Sequence, residues 1–190
     1  MEDWGLIDEE EVRQGFDSHL VTWSVGLTQF PDQALFPNKL VVLDLRYNKI
    51  SRFPDDMRLL TNLQHLDLTN NRVESIPDDI CLWQGLRGLF MGGNQLEVLP
   101  SKLGLVSALQ ILRFDRNRLV ELPWELGNLP NLQVLGLEHN KITSLPPELA
   151  CISGLHLLKL SGNPMIPPSG SRTRQAAPSA VNEVFQFLSM

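Results

Sequence analysis

Three polar residues in one short stretch have the types that could form a catalytic triad. His65, Asp67 and Thr69 alternate along the chain, so in a β-strand their side chains would point to the same face. A hydroxyl nucleophile needs a base within hydrogen-bonding distance, and the base needs a third group that orients it. Residues two apart on a strand are separated by about 6.6 Å, which is too far for short side chains to bond directly. We therefore expect no catalytic centre and predict that the chain is not an enzyme.

Other residues that could bind a metal or a cofactor also lack the required pattern. The Gly-rich stretch 88–94 does not contain the Gly-Lys-Ser/Thr of a phosphate-binding loop. His139 and His156 have no second pair of ligands at metal-site spacing, and Cys81 and Cys151 belong to no cluster. We expect the two cysteines to be packed thiols. The sequence thus predicts no metal site and no cofactor.

A repeat of 23 residues organises most of the chain. Each unit has the form L-x-x-L-x-L-x-x-N-x-L-x-x-L-P-x-x-L-x-x-L-x-x. The recurring asparagines are Asn48, Asn71, Asn94, Asn117, Asn140 and Asn163. A weaker unit precedes them from Leu20, with Val25 in the place of the Asn. The array is therefore expected to contain six Asn-bearing coils and one degenerate entry coil.

The period within each unit predicts an α/β repeat fold, a solenoid. The L-x-L centre alternates as in a strand with one buried face, and stacked coils would align these strands in a parallel sheet on a concave face. The proline cannot donate a hydrogen bond, so we expect it to end the strand and to start short helical or 3-10 turns on the convex face. The Asn column is predicted to be structural, bonding to turn backbone and to its counterpart one coil away. Packing is predicted for both Trp83 and Trp124.

The ends of such an array expose an apolar face, so both ends are expected to be capped by helices. Asp8 and Glu11 have the spacing of a capping box, and Ser179 precedes an apolar helical face near the C-terminus. We predict an N-terminal capping segment over 1–19, the repeat array over 20–168, and a loop with a C-terminal capping helix over 169–190.

The face of the predicted sheet that points away from the core is the candidate binding surface. Its outward positions, together with the residue after each Asn, hold nine basic and four acidic side chains, although the chain as a whole carries a net charge of −6. Phe90 lies among Gly88, Gly92 and Gly93 and could anchor a partner. The simpler alternatives are that the basic column is merely solvated and that Phe90 leans on Arg113 or Asp67. The predicted contact residues are Arg46, Tyr47, Asp67, Phe90, Arg113, Asp115, Arg116, Glu138 and His139.

Composition excludes several classes of protein. The chain is 43% apolar and 20% charged, and no run approaches the roughly 18 apolar residues of a membrane span. Its acidic start is unlike a secretory signal, and separate cysteines suit a reducing compartment. We therefore expect a cytoplasmic location without membrane insertion. A pI near 5.2 argues against nucleic-acid binding.

The 23-residue L-x-x-L-P unit resembles the intracellular leucine-rich repeats of Ras-pathway scaffolds, plant Ras-group-related proteins and Scribble-like proteins. The Asn163-Pro-Met-Ile-Pro-Pro ending is similar to the way members of that group close their arrays, whereas Pro168 and Ser169 depart from the Leu-Pro pair expected in the sixth coil. The resemblance implies a non-catalytic adaptor or scaffold, monomeric by itself, that binds another protein in signalling or cytoskeletal assembly. An acidic partner segment would suit the basic face. The alternatives are a recognition subunit of an enzyme complex, such as a phosphatase or ubiquitin ligase, and a structural component of a large assembly.

Overall fold

Seven short parallel strands form a single sheet in the computed structural model, which describes residues 18–31 and 40–165. Each strand pairs with the next one in chain order, and paired residues are 23 positions apart, from His19 with Val42 to Gly136 with Lys159. The strands are β1 His19–Val21, β2 Val42–Asp44, β3 His65–Asp67, β4 Gly88–Phe90, β5 Ile111–Arg113, β6 Val134–Gly136 and β7 Leu157–Lys159. The degenerate entry coil therefore contributes a strand as well.

In the described residues, short 3-10 helices form the side opposite the sheet in five of the coils. They are η1 Met57–Leu60, η2 Asp78–Leu82, η3 Ser101–Leu105, η4 Trp124–Asn128 and η5 Pro147–Cys151. The last four each begin directly after the repeat proline, whose φ of −66° to −71° is already helical and which has no N–H to satisfy. Asp56 caps the first instead, because its carboxylate accepts a hydrogen bond from the N–H of Arg58. The predicted solenoid, with a parallel sheet on one side and 3-10 turns on the other, is confirmed. The predicted helical caps lie outside the described residues.

Between the sheet and the 3-10 helices lies one continuous apolar core. The middle residue of β2 to β7 is a buried leucine in every case, and the leucine, methionine or phenylalanine two positions later is also buried. Trp83 is fully buried, and its ring centroid lies 5.9 Å from that of Phe53, which in turn lies 5.9 Å from that of Phe30. The hydrophobic pattern of the repeat therefore identifies the core, because each coil covers the apolar face of its neighbours.

Two predictions about packing are wrong. Trp124 is 54% exposed, because it opens η4 while Leu126, two residues later, fills the core position. Cys151, the last residue of η5, is exposed as a free thiol, and Cys81 is half-buried. Both errors concern residues on the helical side, where only every third or fourth residue points inward.

The repeated asparagines form a ladder of buried hydrogen bonds along the core edge. The Nδ2 group of Asn94 donates to the carbonyls of Leu68 and Met91, both at 2.9 Å, and its Oδ1 accepts from the N–H of Val73 at 3.0 Å. The same set recurs in the other coils, and the asparagines from Asn48 to Asn140 are only 6–8% exposed. The partners are backbone groups of the same coil and of the coil before it. Each Asn thus joins two coils through main-chain atoms. The predicted bonds to the turn backbone are present, whereas the predicted contact with the next coil is made to backbone groups and not to the neighbouring Asn.

Candidate functional site

The sheet face is the side of the sheet to which the first and third residues of each strand point. Because the strands are in register, equivalent residues line up across the coils. We name the third strand positions the central row: Val21, Asp44, Asp67, Phe90, Arg113, Gly136 and Lys159. The main-chain pairing continues beyond the strands, since the N–H of Tyr47 donates to Thr69 and that of Arg116 to Glu138. The sheet therefore holds the side chains of the central row, and those of the turns beside it, in fixed relative positions.

Two aromatic rings lie together over a glycine in the middle of the sheet face. A methyl group placed on Gly88 would lie 2.7 Å from Nδ1 of His65 and 2.9 Å from Cε2 of Phe90. Any larger residue would therefore displace one ring, and Gly88 itself is buried beneath them. Beside them, a methyl group placed on Gly92 would make ordinary contact with the carbonyl oxygen of Asp115 at 3.5 Å and with Cγ2 of Thr69 at 3.9 Å. We name the two rings and the neighbouring backbone of Gly88 and Gly92 the aromatic patch.

Basic side chains lie next to the aromatic patch, on the coil that contains β5. Arg113 pairs in register with Phe90 on the neighbouring strand and is half-buried, while Arg116 is exposed. Among the described residues, neither guanidinium makes a salt bridge. The same holds for Lys159, at the end of the central row. An aromatic surface beside unpaired cations can bind an apolar group together with an anionic one.

Other charged residues of the sheet face are already engaged within the protein. Arg46 holds Asp44 through three short contacts, of which the shortest joins its terminal nitrogen to Oδ2 at 2.7 Å. Asp115 folds over Gly136, and its Oδ1 accepts a hydrogen bond from the N–H of Glu138 at 2.9 Å. The Glu138 carboxylate accepts from the Ser161 hydroxyl. These three acidic groups therefore offer less charge to a partner than the sequence alone suggests.

A turn residue with positive φ ends every strand segment at the rim of the face. We name these positions the turn row: Ser24, Tyr47, Asn70, Gly93, Arg116, His139 and Gly162, with φ between 55° and 76°. Residues other than glycine rarely adopt this region because their Cβ meets the carbonyl oxygen. The turn geometry nevertheless holds Tyr47, Arg116 and His139 there with their side chains exposed, Tyr47 to 57%. The turn row thus adds long polar side chains to the edge of the binding face.

All nine predicted contact residues lie on the sheet face or in the turn row, so the fold brings them together. The sequence did not indicate which of these residues are bound within the protein and which are available to a partner. Asp67 and the two arginines of the fourth coil are available, whereas Arg46 is bound to Asp44. The signal for that pair was present, because opposite charges two residues apart on a strand point to the same side. His65, considered above only for catalysis, proves to be a neighbour of Phe90 on the face.

Burial shifts two titrations on the sheet face. Burial raises the pKa of the Asp67 carboxyl above its ordinary value, although hydrogen bonds from Thr69 lower it in part. Burial also lowers the pKa of the His65 imidazole, and the positive charges of Arg87 and His19 act in the same direction. The face therefore favours a neutral imidazole beside Phe90.

The lowered pKa of His65 predicts that acid destabilises the protein through this residue. Its folded-state pKa lies below the ordinary value of 6.5, so the unfolded chain takes up the proton first as the pH falls. The contribution to stability is therefore present above pH 6.5 and is lost as the pH falls through the lower pKa of the folded state. Urea midpoints on both sides of this window should fall more for the wild type than for His65→Gln. Equal falls in the two proteins would contradict the assignment.

Neither metal binding nor membrane insertion finds support among the described residues. No group of three or more His, Cys, Asp or Glu side chains in residues 18–31 and 40–165 is placed to hold a metal ion. Within the same ranges, no helix is long and apolar enough to cross a bilayer.

The fold resembles solved leucine-rich-repeat structures. A leucine-rich-repeat protein of Leptospira interrogans matches with a TM-score of 0.74 and 29% identity, over 86% of this chain and 39% of that one. The plant peptide hormone receptor RGFR1, solved in complex with RGF2, matches with a TM-score of 0.68 and 29% identity, over 76% of this chain and 24% of the receptor. This chain thus spans less than half the length of either protein. A search of curated proteins found no match.

The repeat itself matches a family model. The model for the leucine rich repeat covers residues 19–73 and 107–165, which is more than half of the chain. These ranges contain β1 to β3 at one end and β5 to β7 at the other. Leucine-rich repeats are in general non-catalytic modules that bind proteins. With its seven stacked coils, its parallel sheet and this match, the chain belongs to the leucine-rich-repeat family.

Proposed function

We propose that this chain is a protein-interaction module that holds a segment of a partner protein against its sheet face. It acts as an adaptor or scaffold in intracellular signalling or cytoskeletal assembly, and the chain alone is a monomer. The partner segment carries an apolar residue followed by acidic ones. The chain binds no nucleic acid and inserts into no membrane.

The observation that carries this proposal is the aromatic patch beside two arginines that form no salt bridge among the described residues. Phe90 lies over Gly88, and Arg113 is its register partner on the next strand. Arg116 projects from the turn row of the same coil as Arg113. A large apolar anchor in the middle of a face, with charge at its border, is typical of the residues that dominate binding energy at interfaces.

Two further observations support the partner class and the location. The receptor with which the chain shares its fold was solved in complex with RGF2, so a protein of this fold can bind a partner. The exposed free thiol of Cys151 suits a reducing compartment, and hence the cytoplasm. The acidic pI near 5.2 opposes binding to nucleic-acid phosphates.

Peptides selected from a displayed random library on the purified chain provide the test. Phe90→Ala should raise the dissociation rate of a selected peptide by about tenfold, because the apolar anchor is lost, and should change the association rate little. Arg116→Glu should mainly lower the association rate and weaken its dependence on salt, because that charge acts on the encounter. Both rates are measured by surface plasmon resonance at low and high ionic strength.

Glu97→Lys is the matched control. Glu97 is exposed but lies outside the sheet face, so reversing its charge should change neither rate. If Glu97→Lys abolishes binding while Phe90→Ala and Arg116→Glu retain it, the sheet face is not the working surface and the proposal fails.

A further inference from the structure

The charges along the central row follow an order that neither composition nor net charge reveals. From β2 to β7, the row has two carboxylates, then an aromatic ring, then two cations separated by a glycine. In that order they are Asp44, Asp67, Phe90, Arg113, Gly136 and Lys159. These residues are Cα partners in consecutive strands, so the order is an arrangement in space. A segment that crosses the strands along this row meets an acid first, then Phe90, then Arg113.

Asp67 is the carboxylate of this row that a partner can use. Asp44 is bound by Arg46 and is only 8% exposed. The Oδ1 atom of Asp67 accepts a hydrogen bond from the N–H of Thr69 at 2.8 Å, and no basic side chain of the described residues lies within salt-bridge distance of it. The charge of Arg46 acts on Asp67 only from beyond salt-bridge distance, and Arg46 is itself bound to Asp44, so a further positive group that reaches Asp67 would stabilise its carboxylate. Burial is the main cause of the raised pKa of Asp67.

On the other side of Phe90, Arg113 is the corresponding positive group. The nearby Asp115 carboxylate is turned over Gly136 and bonded to the N–H of Glu138, and it makes no salt bridge with Arg113 in the described structure. Arg113 therefore keeps its charge available for an anionic group. Lys159 continues the positive side of the row two strands further on.

The spacing of the strands sets the spacing of the complementary charges. Asp67 and Arg113 are two strands apart, which corresponds to about 10 Å at the usual distance between strands. Side chains of an extended segment alternate between its two faces, so residues that all reach the sheet face are two or four positions apart. Four positions span about 13 Å, and flexible side chains at both ends can close the difference from about 10 Å. Gly92 beside Phe90 has no side chain to obstruct the backbone of such a segment.

We propose that the partner segment is bipolar: an extended stretch in which a basic residue pairs with Asp67, an apolar residue two positions from it packs on Phe90, and an acidic residue four positions from the basic one pairs with Arg113. This inference rests on the proposed binding of a partner to the sheet face. It adds a basic residue to the acidic and apolar groups expected there, and it sets the distance between the two charges.

Charge reversal on the two sides of the contact tests this arrangement. Library selection on the wild-type chain should yield peptides with one Lys or Arg and one Asp or Glu about four positions apart and an apolar residue midway between them. Asp67→Lys should weaken such a peptide by about tenfold, and changing the basic residue of the peptide to Glu should restore binding. Arg113→Glu should weaken it similarly, and changing the acidic residue of the peptide to Lys should restore binding. Combining either protein variant with the peptide change designed for the other variant should not restore binding.

Asp67→Asn shows whether weaker binding by Asp67→Lys comes from the changed charge or from a failure to fold. It keeps an acceptor for the N–H of Thr69 and removes only the charge, so it should fold and still weaken the peptide. Arg58→Glu, an exposed charge reversal in η1 on the side opposite the sheet, is the control and should leave the affinity unchanged. Affinities are measured by fluorescence anisotropy with the synthetic peptides.

Different outcomes separate this inference from the proposed function. Selected peptides that bind in a Phe90-dependent manner but carry only acids, or that ignore Asp67→Lys and Asp67→Asn, would overturn the bipolar arrangement and leave the binding face in place. Charges seven residues apart would indicate a helical partner and would overturn the extended spacing. If no selected peptide depends on Phe90, the proposed function itself fails.

Discussion

Leu112→Ala is expected to lower the free energy of unfolding by about 2 to 5 kcal/mol. Leu112 is the middle residue of β5, is fully buried, and lies in register between Leu89 and Leu135 of the adjacent strands. Truncation removes apolar contacts on both sides and leaves a cavity that the rigid stacked coils cannot close. Urea denaturation followed by circular dichroism measures the loss.

Ile111→Ala is the matched control for that experiment. Ile111 directly precedes Leu112, but it lies on the sheet face and is only half-buried. Its truncation should cost clearly less than that of Leu112, because solvent already reaches part of the side chain. Equal losses in the two variants would mean that the assignment of inward and outward positions is wrong.

Asn94→Ala should be similarly damaging, although it removes little apolar surface. The side chain satisfies the carbonyls of Leu68 and Met91 and the N–H of Val73 in a buried setting. Without it these groups lack their partner, at a cost of about 1 to 3 kcal/mol for each that stays unpaired. The denaturation midpoint should fall accordingly.

Asn131→Ala serves as the comparison, because Asn131 is exposed and donates one hydrogen bond to the carbonyl of Ser107 at 2.9 Å. Water can replace that bond, so the change should stay within about 0.5 kcal/mol. If Asn94→Ala left the midpoint where Asn131→Ala leaves it, the Asn ladder would contribute nothing to stability.

The repeat made the backbone of this protein predictable to a large extent. A constant interval of 23 residues implies a constant offset between strands, and the pairing of His65 with Gly88 and of Gly88 with Ile111 has that offset. The proline after each strand segment predicted the 3-10 helices, since its fixed φ and missing N–H suit a helix start. Outward columns could thus be assembled before the structure, and the nine predicted contact residues lie on the sheet face or in the turn row beside it.

The repeat pattern did not predict the side-chain contacts within the sheet face. The period places Asp44 and Arg46 on one side, but whether they bind each other or a partner depends on rotamers that differ by about 1 kcal/mol. The Asp115 carboxylate can lie over Gly136 only because Gly136, in the next coil, has no side chain. For the same reason Trp124 was predicted to pack and is exposed, because η4 presents Leu126 to the core in its place.

The Asn ladder also gives the array a direction of assembly. In every coil the amide reaches back, so that Asn94 completes buried groups of the preceding coil, such as the N–H of Val73. A coil without its successor keeps an unsatisfied N–H, whereas a coil without its predecessor keeps only an unused amide that can rotate toward water. Each newly added coil therefore completes the buried hydrogen bonds of the one before it, in the order in which the chain is synthesised from its N-terminus.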